Sequence, residues 1–270
     1  SGAGRGQTMS RIKMGRVSTP APSPGVIGWW PCFQANTDTS VVDVSGKSRN
    51  LSFGAGLTTA EAWAAANAFS SVDTTADDCG ILARSAFDWD FNAGENFLLS
   101  CLINAAAPAA TRTLFGNGYN STSAQGLRFI VKSTGVCAPW FYESTGDLFL
   151  ADTSGALADS TTKHLMFAWY DHDVASGTAR YMIWFNGVRQ YAVGVSASGL
   201  GTINPVDDFR IGGNKTGASA FQSMAASFSA LQMYRSARSV DWDLERLDRL
   251  AVRLRRSPAT PLTENEWPTA

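Results

Sequence analysis

Short apolar runs alternate with turn-forming residues along most of the chain, from Gly25 to Tyr234. Clusters of Gly, Asn, Asp, Ser and Pro separate these runs, a spacing that is typical of a β-sandwich or jelly roll. We predict strands at 26–33, 51–53, 80–84, 97–103, 112–115, 127–131, 139–142, 148–150, 165–170, 181–185, 188–193, 209–211 and 226–234. The pattern therefore predicts an all-β fold in which two antiparallel sheets pack as a sandwich.

Two local patterns predict further details of the strands. Asn186-Gly187 lies between the apolar runs 181–185 and 188–193. This dipeptide favours a type I′ hairpin turn, because both central residues of that turn need a positive φ. In the run 226–234, polar residues interrupt the apolar positions in rough alternation. That alternation predicts a strand with one buried face.

Two segments have helical patterns. The segment 59–69 contains Glu61 and six alanines, so we predict a helix with a Thr near its start. The segment 240–254 carries one apolar stripe at three- and four-residue spacing, formed by Val240, Leu244, Leu247, Ala251 and Leu254. Acidic residues come early in it and arginines come late, which suits the helix dipole. We predict a short C-terminal helix with Ser239 as its N-cap.

The two ends of the chain differ from the middle. Residues 1–25 contain four cations and no acidic residue, and prolines follow. We predict an extended arm that docks on a partner through Arg5, Arg11, Lys13 and Arg16; the alternative is a flexible or tag-derived tail. The sandwich, with its helix at 240–254, is expected to occupy 26–256. The Pro-containing tail 257–270 is expected to be a surface strap or a docking peptide.

Composition narrows the classes of partner. The formal net charge is -1, so no global basic field is available to hold nucleic acid. No apolar stretch is long enough to cross a membrane, and residues 17–24 are not the apolar core of a secretory signal. The four cysteines are widely spaced, which argues against a zinc site and predicts reduced thiols packed as small hydrophobes. A disulfide stays open as the alternative.

The serial order of motifs resembles the laminin G-like, concanavalin A-like jelly-roll family over 25–254. The motifs are GVIGWWPCF, DVSGKSRNLSF, NFLLSCLI, RTLFGNG, GLRFIVKSTG, KHLMFAWYDHD, RYMIWFNGVRQ, DFRIGGN and FSALQMYRSARSVDWDLERL. The resemblance implies two antiparallel sheets packed face to face, with ligand loops at one edge or across one face. Members bind glycans, proteins or calcium, and a subset hydrolyses polysaccharides. The helix at 59–69, the arm and the tail depart from the usual pattern of the family.

Catalytic patterns are missing from the sequence. The hydrolytic branch of the family supplies its carboxylates as Glu-x-Asp-x-x-Glu, and none of the six Glu falls in that pattern. Asp88 and Asp90 could form a carboxylate pair on one strand, or they could be turn residues. Only two His and no Gly-x-Ser-x-Gly elbow are present. We therefore expect no enzyme, with a degenerate glycoside hydrolase as an outside alternative.

Binding candidates lie in two aromatic segments and two acidic pairs. Sugar faces are apolar and their rims carry hydroxyls, so an aromatic side chain beside amides or carboxylates suits them. The candidates for glycan binding are Asn117, Tyr119, Asn120, Trp140 and Tyr142. The alternative is a purely structural role, in which each aromatic side chain packs in the hydrophobic core. The weak candidates for calcium are Asp77, Asp78, Asp207 and Asp208, which also read as turn residues.

Two functional hypotheses follow. The first is a structural virion protein of a phage-like particle, either a capsid decoration or a tail-associated subunit. Such proteins often resemble this family with a docking arm attached. The arm would bind a capsid or tail protein, and a homo-oligomer on the virion surface, made in the host cytoplasm, is expected. The second hypothesis is a glycan-binding module that recognises host surface polysaccharide. Neither needs a cofactor, although calcium is possible.

Overall fold

The computed structural model describes residues 23–32, 38–73, 76–119, 125–215 and 221–269. Eighteen strands and two helices form in this part of the chain. The strands are β1 (Val26–Trp30), β2 (Ser40–Val41), β3 (Leu51–Phe53), β4 (Phe69–Ser71), β5 (Gly80–Leu82), β6 (Asn96–Ala105), β7 (Arg112–Gly116), β8 (Gly126–Val131), β9 (Cys137–Glu143), β10 (Gly146–Phe149), β11 (Thr162–Asp173), β12 (Thr178–Phe185), β13 (Val188–Arg189), β14 (Val195–Ser198), β15 (Phe209–Ile211), β16 (Gly213–Lys215), β17 (Phe221–Ser223) and β18 (Ala226–Ser236). The helices are α1 (Thr59–Ala62) and α2 (Leu244–Arg256).

These strands form two large antiparallel sheets, as the apolar pattern predicts. The first sheet has the order β1-β18-β6-β11-β12-β13, with β4 paired to β18 and β14 paired to β12. The second has the order β10-β9-β8-β7-β15-β5-β3-β2. Strands β16 and β17 form a separate hairpin beside β7. The prediction of a two-sheet antiparallel sandwich with a short C-terminal helix is confirmed.

The main core lies between the two sheets. On β8, Leu127, Phe129 and Val131 are buried in it, because alternate residues of a strand point to the same face. Aromatic rings from the two sheets meet there, with the centroids of Phe141 and Trp169 4.6 Å apart. The residues between them on β8, including Arg128, therefore point to the outer face of the second sheet.

A second core covers the outer face of the first sheet. Helix α2 contacts β11 and β13, and its apolar stripe packs on that face. The tail adds Leu262 and Trp267, both fully buried, and the ring of Trp267 stacks on Trp242 with centroids 4.1 Å apart. The segment 257–269 is thus packed into the domain as a strap. Helix α2 and the strap thus cover much of the outer face of the first sheet, while the part around Asn104 and Thr162 stays exposed.

The helix predicted at 59–69 is wrong in its extent. It begins as predicted, with a capping box between Thr58 and Glu61, but it ends at Ala62. Asn67 has a φ of 56°, and the chain from Phe69 onward forms β4, which pairs with β18. Pairing with the sheet overrides the helix propensity of the alanines.

The C-terminal helix also begins later than predicted. Its N-cap is Asp243, whose carboxylate accepts a hydrogen bond from the backbone N of Arg246 at 2.6 Å, and not Ser239. Val240 and Trp242 are buried in the second core before the helix begins. They continue the apolar pattern of the stripe without being helical, which is why the periodicity placed the start too early.

The hairpin turn at Asn186-Gly187 is confirmed, with φ of 52° and 77° at its two residues. The strand after it is shorter than predicted and ends at Arg189. In β18 the alternation holds only over the first residues. The later residues are buried on both faces, because the strap and α2 cover that part of the first sheet.

The four cysteines, all within the described residues, are free and buried. Burial raises the pKa of the Cys32 thiol to about 12, so this group stays protonated and unreactive at neutral pH. The prediction of reduced, packed thiols is confirmed. In the described part of the chain, no helix has the length and apolar character needed to span a membrane.

Candidate functional site

The outer face of the second sheet carries a group of aromatic and charged side chains. Trp140 on β9 pairs directly with Phe149 on β10 and with Arg128 on β8. Tyr142, two residues along β9, pairs with Asp147. Directly paired residues share one face of a sheet, and residues two apart on a strand do so as well. All five side chains therefore lie on the same face, and we call this set the platform.

The aromatic rings of the platform touch one another and reach solvent. The ring of Trp140 stacks on Tyr142 with centroids 5.2 Å apart and 26° between planes. It meets Phe149 edge to face at 4.9 Å. Phe149 is 45% exposed, Trp140 is half-buried and Tyr142 is buried. The result is a continuous apolar surface of the kind on which a sugar ring can stack.

Charged groups surround this surface. The guanidinium carbon of Arg128 lies 5.5 Å from the centroid of the Trp140 ring. The amine of Lys132 lies 5.1 Å from the centroid of Phe149 and forms an ion pair with Asp152 at 2.7 Å. The carboxylate of Asp147 is exposed beside Tyr142. These donors and acceptors suit the hydroxyl rim of a sugar.

Neighbouring polar groups hold Arg128 in place. Its Nε donates to the hydroxyl of Thr113 at 3.0 Å, and its Nη1 donates to the hydroxyl of Tyr142 at 2.8 Å. The amide oxygen of Gln222 on β17 lies 3.5 Å from Nη2. Tyr142 therefore connects the platform to Arg128 and fixes the orientation of both side chains.

A separate cleft of about 290 Å³ lies where loops meet at one end of the sandwich. It is lined by Asp88, Asp90 and Asn117, among others, and each has a structural partner. Asp88 binds Arg49 through both carboxylate oxygens, at 3.1 and 2.8 Å. Asp90 accepts hydrogen bonds from the backbone N of Asn92 and of Ala93. Both carboxylates thus take part in holding the loop, as the turn-residue alternative predicts.

The predicted loop residues are dispersed in the structure. Asn117 is buried, and its side-chain oxygen accepts from the backbone N of Leu127 at 3.0 Å. It therefore supports a loop while lining the end cleft, and its role as a glycan contact stays a prediction. Tyr119 is half-buried, and Asn120 lies outside the described residues, as do Arg5, Arg11, Lys13 and Arg16 of the arm. Trp140 and Tyr142 lie on a strand and come together.

A neighbouring cleft near Glu143 and His172 has unusual electrostatics. Burial lowers the pKa of His172 to about 4, with a smaller contribution from Arg238. Burial raises the pKa of Glu143, although hydrogen bonds from Gly201 and Thr145 act in the opposite direction. Both shifts follow from desolvation, so each group tends toward its neutral form.

The four calcium candidates have protein partners. Asp77 forms a largely buried ion pair with Arg210, and Asp207 forms a half-buried one with Lys215. Asp208 accepts from the backbone N of Arg84 at 3.0 Å, and Asp78 is buried. Within the described residues there is no cluster of three or more His, Cys, Asp or Glu that could hold a metal ion. The turn and ion-pair roles account for these carboxylates.

Sequence reasoning missed most of the platform. Its members Arg128, Asp147 and Phe149 carry no signal of their own, because each is one residue in or beside a run that looks like an ordinary strand. The signal lies in pairing: once β8, β9 and β10 are placed side by side, the alternate positions of all three fall on one face. A single sequence predicts the alternation within a strand but not which strands are neighbours.

No family model matches the chain, and no curated protein matches it. Solved structures do. A Trypanosoma rangeli sialidase in complex with sialic acid is similar over 89% of this chain and 34% of its own, with a TM-score of 0.56 and 14% identity. The binding domain of botulinum neurotoxin DC in complex with SialylT is similar over 87% and 51%, with a TM-score of 0.52 and 11% identity.

The botulinum neurotoxin serotype D binding domain is similar over 84% of this chain and 51% of that one, with a TM-score of 0.53 and 13% identity. The chain thus spans about a third of the sialidase and about half of the toxin domains. At such identities the likeness establishes a two-sheet β-sandwich fold and nothing finer. The laminin G-like family within that class and the virion role stay predictions.

Proposed function

We propose that this protein is a carbohydrate-binding module that recognises its ligand on the platform of the second sheet. The observation that carries the proposal is the contiguous, solvent-reaching aromatic surface of Trp140 and Phe149. One apolar face of a sugar ring would stack on it, while Asp147 and Lys132 would accept and donate hydrogen bonds at the rim. On the opposite outer face of the sandwich, α2 and the strap cover much of the sheet.

The structural neighbours support this proposal in kind. They include a sialidase in complex with sialic acid and a toxin binding domain in complex with SialylT. Those ligands belong to proteins of which this chain spans about a third and about a half, so they support glycan binding here only by analogy of fold. Because sialidases are enzymes, hydrolysis is the competing function. Within the described residues, however, Asp88 and Asp90 are engaged in an ion pair and a cap, so the binding function has the stronger structural support.

Replacement of Trp140 with alanine tests the proposal. The intact protein is first screened on an array of neutral and acidic oligosaccharides, and the tightest ligand is then titrated by calorimetry. We expect W140A to weaken that affinity about tenfold or more, because a central aromatic contact is lost. Unfolding should stay cooperative, since the ring is only half-buried.

The matched control is V188A. Val188 on β13 is 64% exposed and lies in the first sheet, away from the platform. Its replacement therefore also removes exposed apolar surface. Its affinity should equal that of the unchanged protein. The proposal is wrong if no oligosaccharide binds the intact protein, or if W140A binds as tightly as V188A.

A further inference from the structure

Two arginines are buried on the outer face of the second sheet, and only one of them has a carboxylate partner. Arg210 is 4% exposed and binds Asp77 through Nε and Nη2, at 3.1 and 3.4 Å. Arg128 is 7% exposed, and its hydrogen bonds go to Thr113, Tyr142 and Gln222. Every one of the 23 acidic residues lies in the described part of the chain, and none forms an ion pair with Arg128 there.

This arrangement is unusual on physical grounds. An arginine keeps its charge at all physiological pH values, and a buried charge in a protein is normally paired. Hydroxyl and amide oxygens, together with the faces of Trp140 and Tyr142 at 5.5 and 5.8 Å, solvate the guanidinium without neutralising it. The platform is thus built over a buried, uncompensated positive charge.

The other charged side chains on and beside the platform do not neutralise the charge of Arg128. Lys132 and Asp152 neutralise each other as an ion pair at 2.7 Å. Asp147 beside Tyr142 is exposed, so its field is screened by water and salt. Protein atoms around Arg128 keep water away from its guanidinium group. The field of this charge is therefore screened least toward a ligand that lies on the Trp140 ring.

From this asymmetry we propose that the ligand of the platform is an acidic sugar, whose carboxylate or sulfate group supplies the missing counter-charge of Arg128. The inference rests on the proposed function and names the class of glycan for the same site. Stacking on Trp140 would provide contact area, and the field of Arg128 would select the charged sugar over its neutral analogue.

The test uses ligand pairs that differ only in the acid group. The intact protein is titrated with polygalacturonate oligomers and their methyl esters, and with sialyllactose and its methyl ester. We expect the acidic member of at least one pair to bind about tenfold more tightly at low salt. The preference should shrink as ionic strength rises, because the interaction is electrostatic.

Two variants assign the preference to the buried charge. In R128M the ratio of the two affinities should fall to about one, whereas R128K, which keeps a cation, should retain part of it. R128M also removes the hydrogen bonds to Thr113 and Tyr142, so cooperative urea unfolding and retained affinity for the neutral sugar confirm that the platform is intact. The control is R112M, which removes a charge from β7 that is already paired with Asp73; its preference should be unchanged.

The outcomes separate the two proposals. Equal affinity for acidic and neutral members overturns the acidic-sugar inference and leaves carbohydrate binding intact. A preference for acidic sugars that persists undiminished in R128M also overturns it, since the charge then acts elsewhere. Failure of all oligosaccharides to bind removes the proposed function and the inference together.

Discussion

Replacing Trp267 with alanine is expected to lower the free energy of unfolding by about 3–5 kcal/mol. The side chain is fully buried, its ring stacks on Trp242 at 4.1 Å, and its Nε1 donates to the backbone O of Arg235 at 3.0 Å. The substitution would leave a cavity beneath the strap and an unpaired carbonyl. It would also loosen the strap that closes the outer face of the first sheet.

Urea unfolding followed by circular dichroism measures this loss. F149A is the control, because it removes an aromatic ring that is 45% exposed and should cost less than about 1 kcal/mol. A W267A protein whose stability lies within 1 kcal/mol of the unchanged protein would contradict the packed position of the strap.

The substitution D77N is expected to destabilise the protein by about 3–5 kcal/mol as well. Asparagine has nearly the shape of aspartate, so the change removes the charge and little else. Arg210 would then be a buried cation without a carboxylate, beside a neutral amide, the carbonyl of Asp208 and the ring of Phe221. Removal of one partner from a buried ion pair costs far more than the pair itself contributes.

Two further variants isolate the charge effect in the same urea experiment. The double variant D77N/R210M should recover most of the lost stability, because no unpaired charge remains. D152N breaks the exposed pair with Lys132 and should cost less than about 1 kcal/mol. If D77N were no more damaging than D152N, Arg210 would not be held by this carboxylate in solution.

The fold followed from the sequence because local patterns and tertiary structure agree over most of the chain. Every predicted strand is present, and the Asn186-Gly187 turn has the predicted conformation. In the two segments where a helix was predicted too long or too early, tertiary contacts override the helical pattern. The alanines after Ala62 and the apolar positions before Leu244 have helical spacing, but pairing with β18 and burial beside the strap determine their actual conformation.

The candidate site could be predicted only in part. Trp140 and Tyr142 were found because aromatic residues beside polar ones suit a sugar. Asn117 was found for the same reason, and it supports a loop. The difference between them is solvent access, which depends on which sheet face is covered. A sequence does not show that α2 and the strap cover much of one outer face while the other keeps Phe149 exposed.

The absence of a carboxylate partner for Arg128 cannot be predicted from the sequence either. Its run, Leu127 to Val131, reads as an ordinary strand, and the sequence contains more acidic than basic residues. Only the placement of all 23 carboxylates separates the paired Arg210 from the unpaired Arg128. A buried cation without a counter-ion is therefore a structural signal, and it indicates where a charged ligand would lie.

The measurement that tests the account most directly is a titration of the isotope-labelled protein by nuclear magnetic resonance. The nine tryptophans each give one indole N–H signal, and W140F assigns the one that belongs to Trp140. With the tightest oligosaccharide from the array, we predict that the Trp140 signal shifts most, while that of Trp89, which lines the end cleft, stays in place. A saturable shift of Trp89 with an unmoved Trp140 would contradict the account and place the ligand in the cleft.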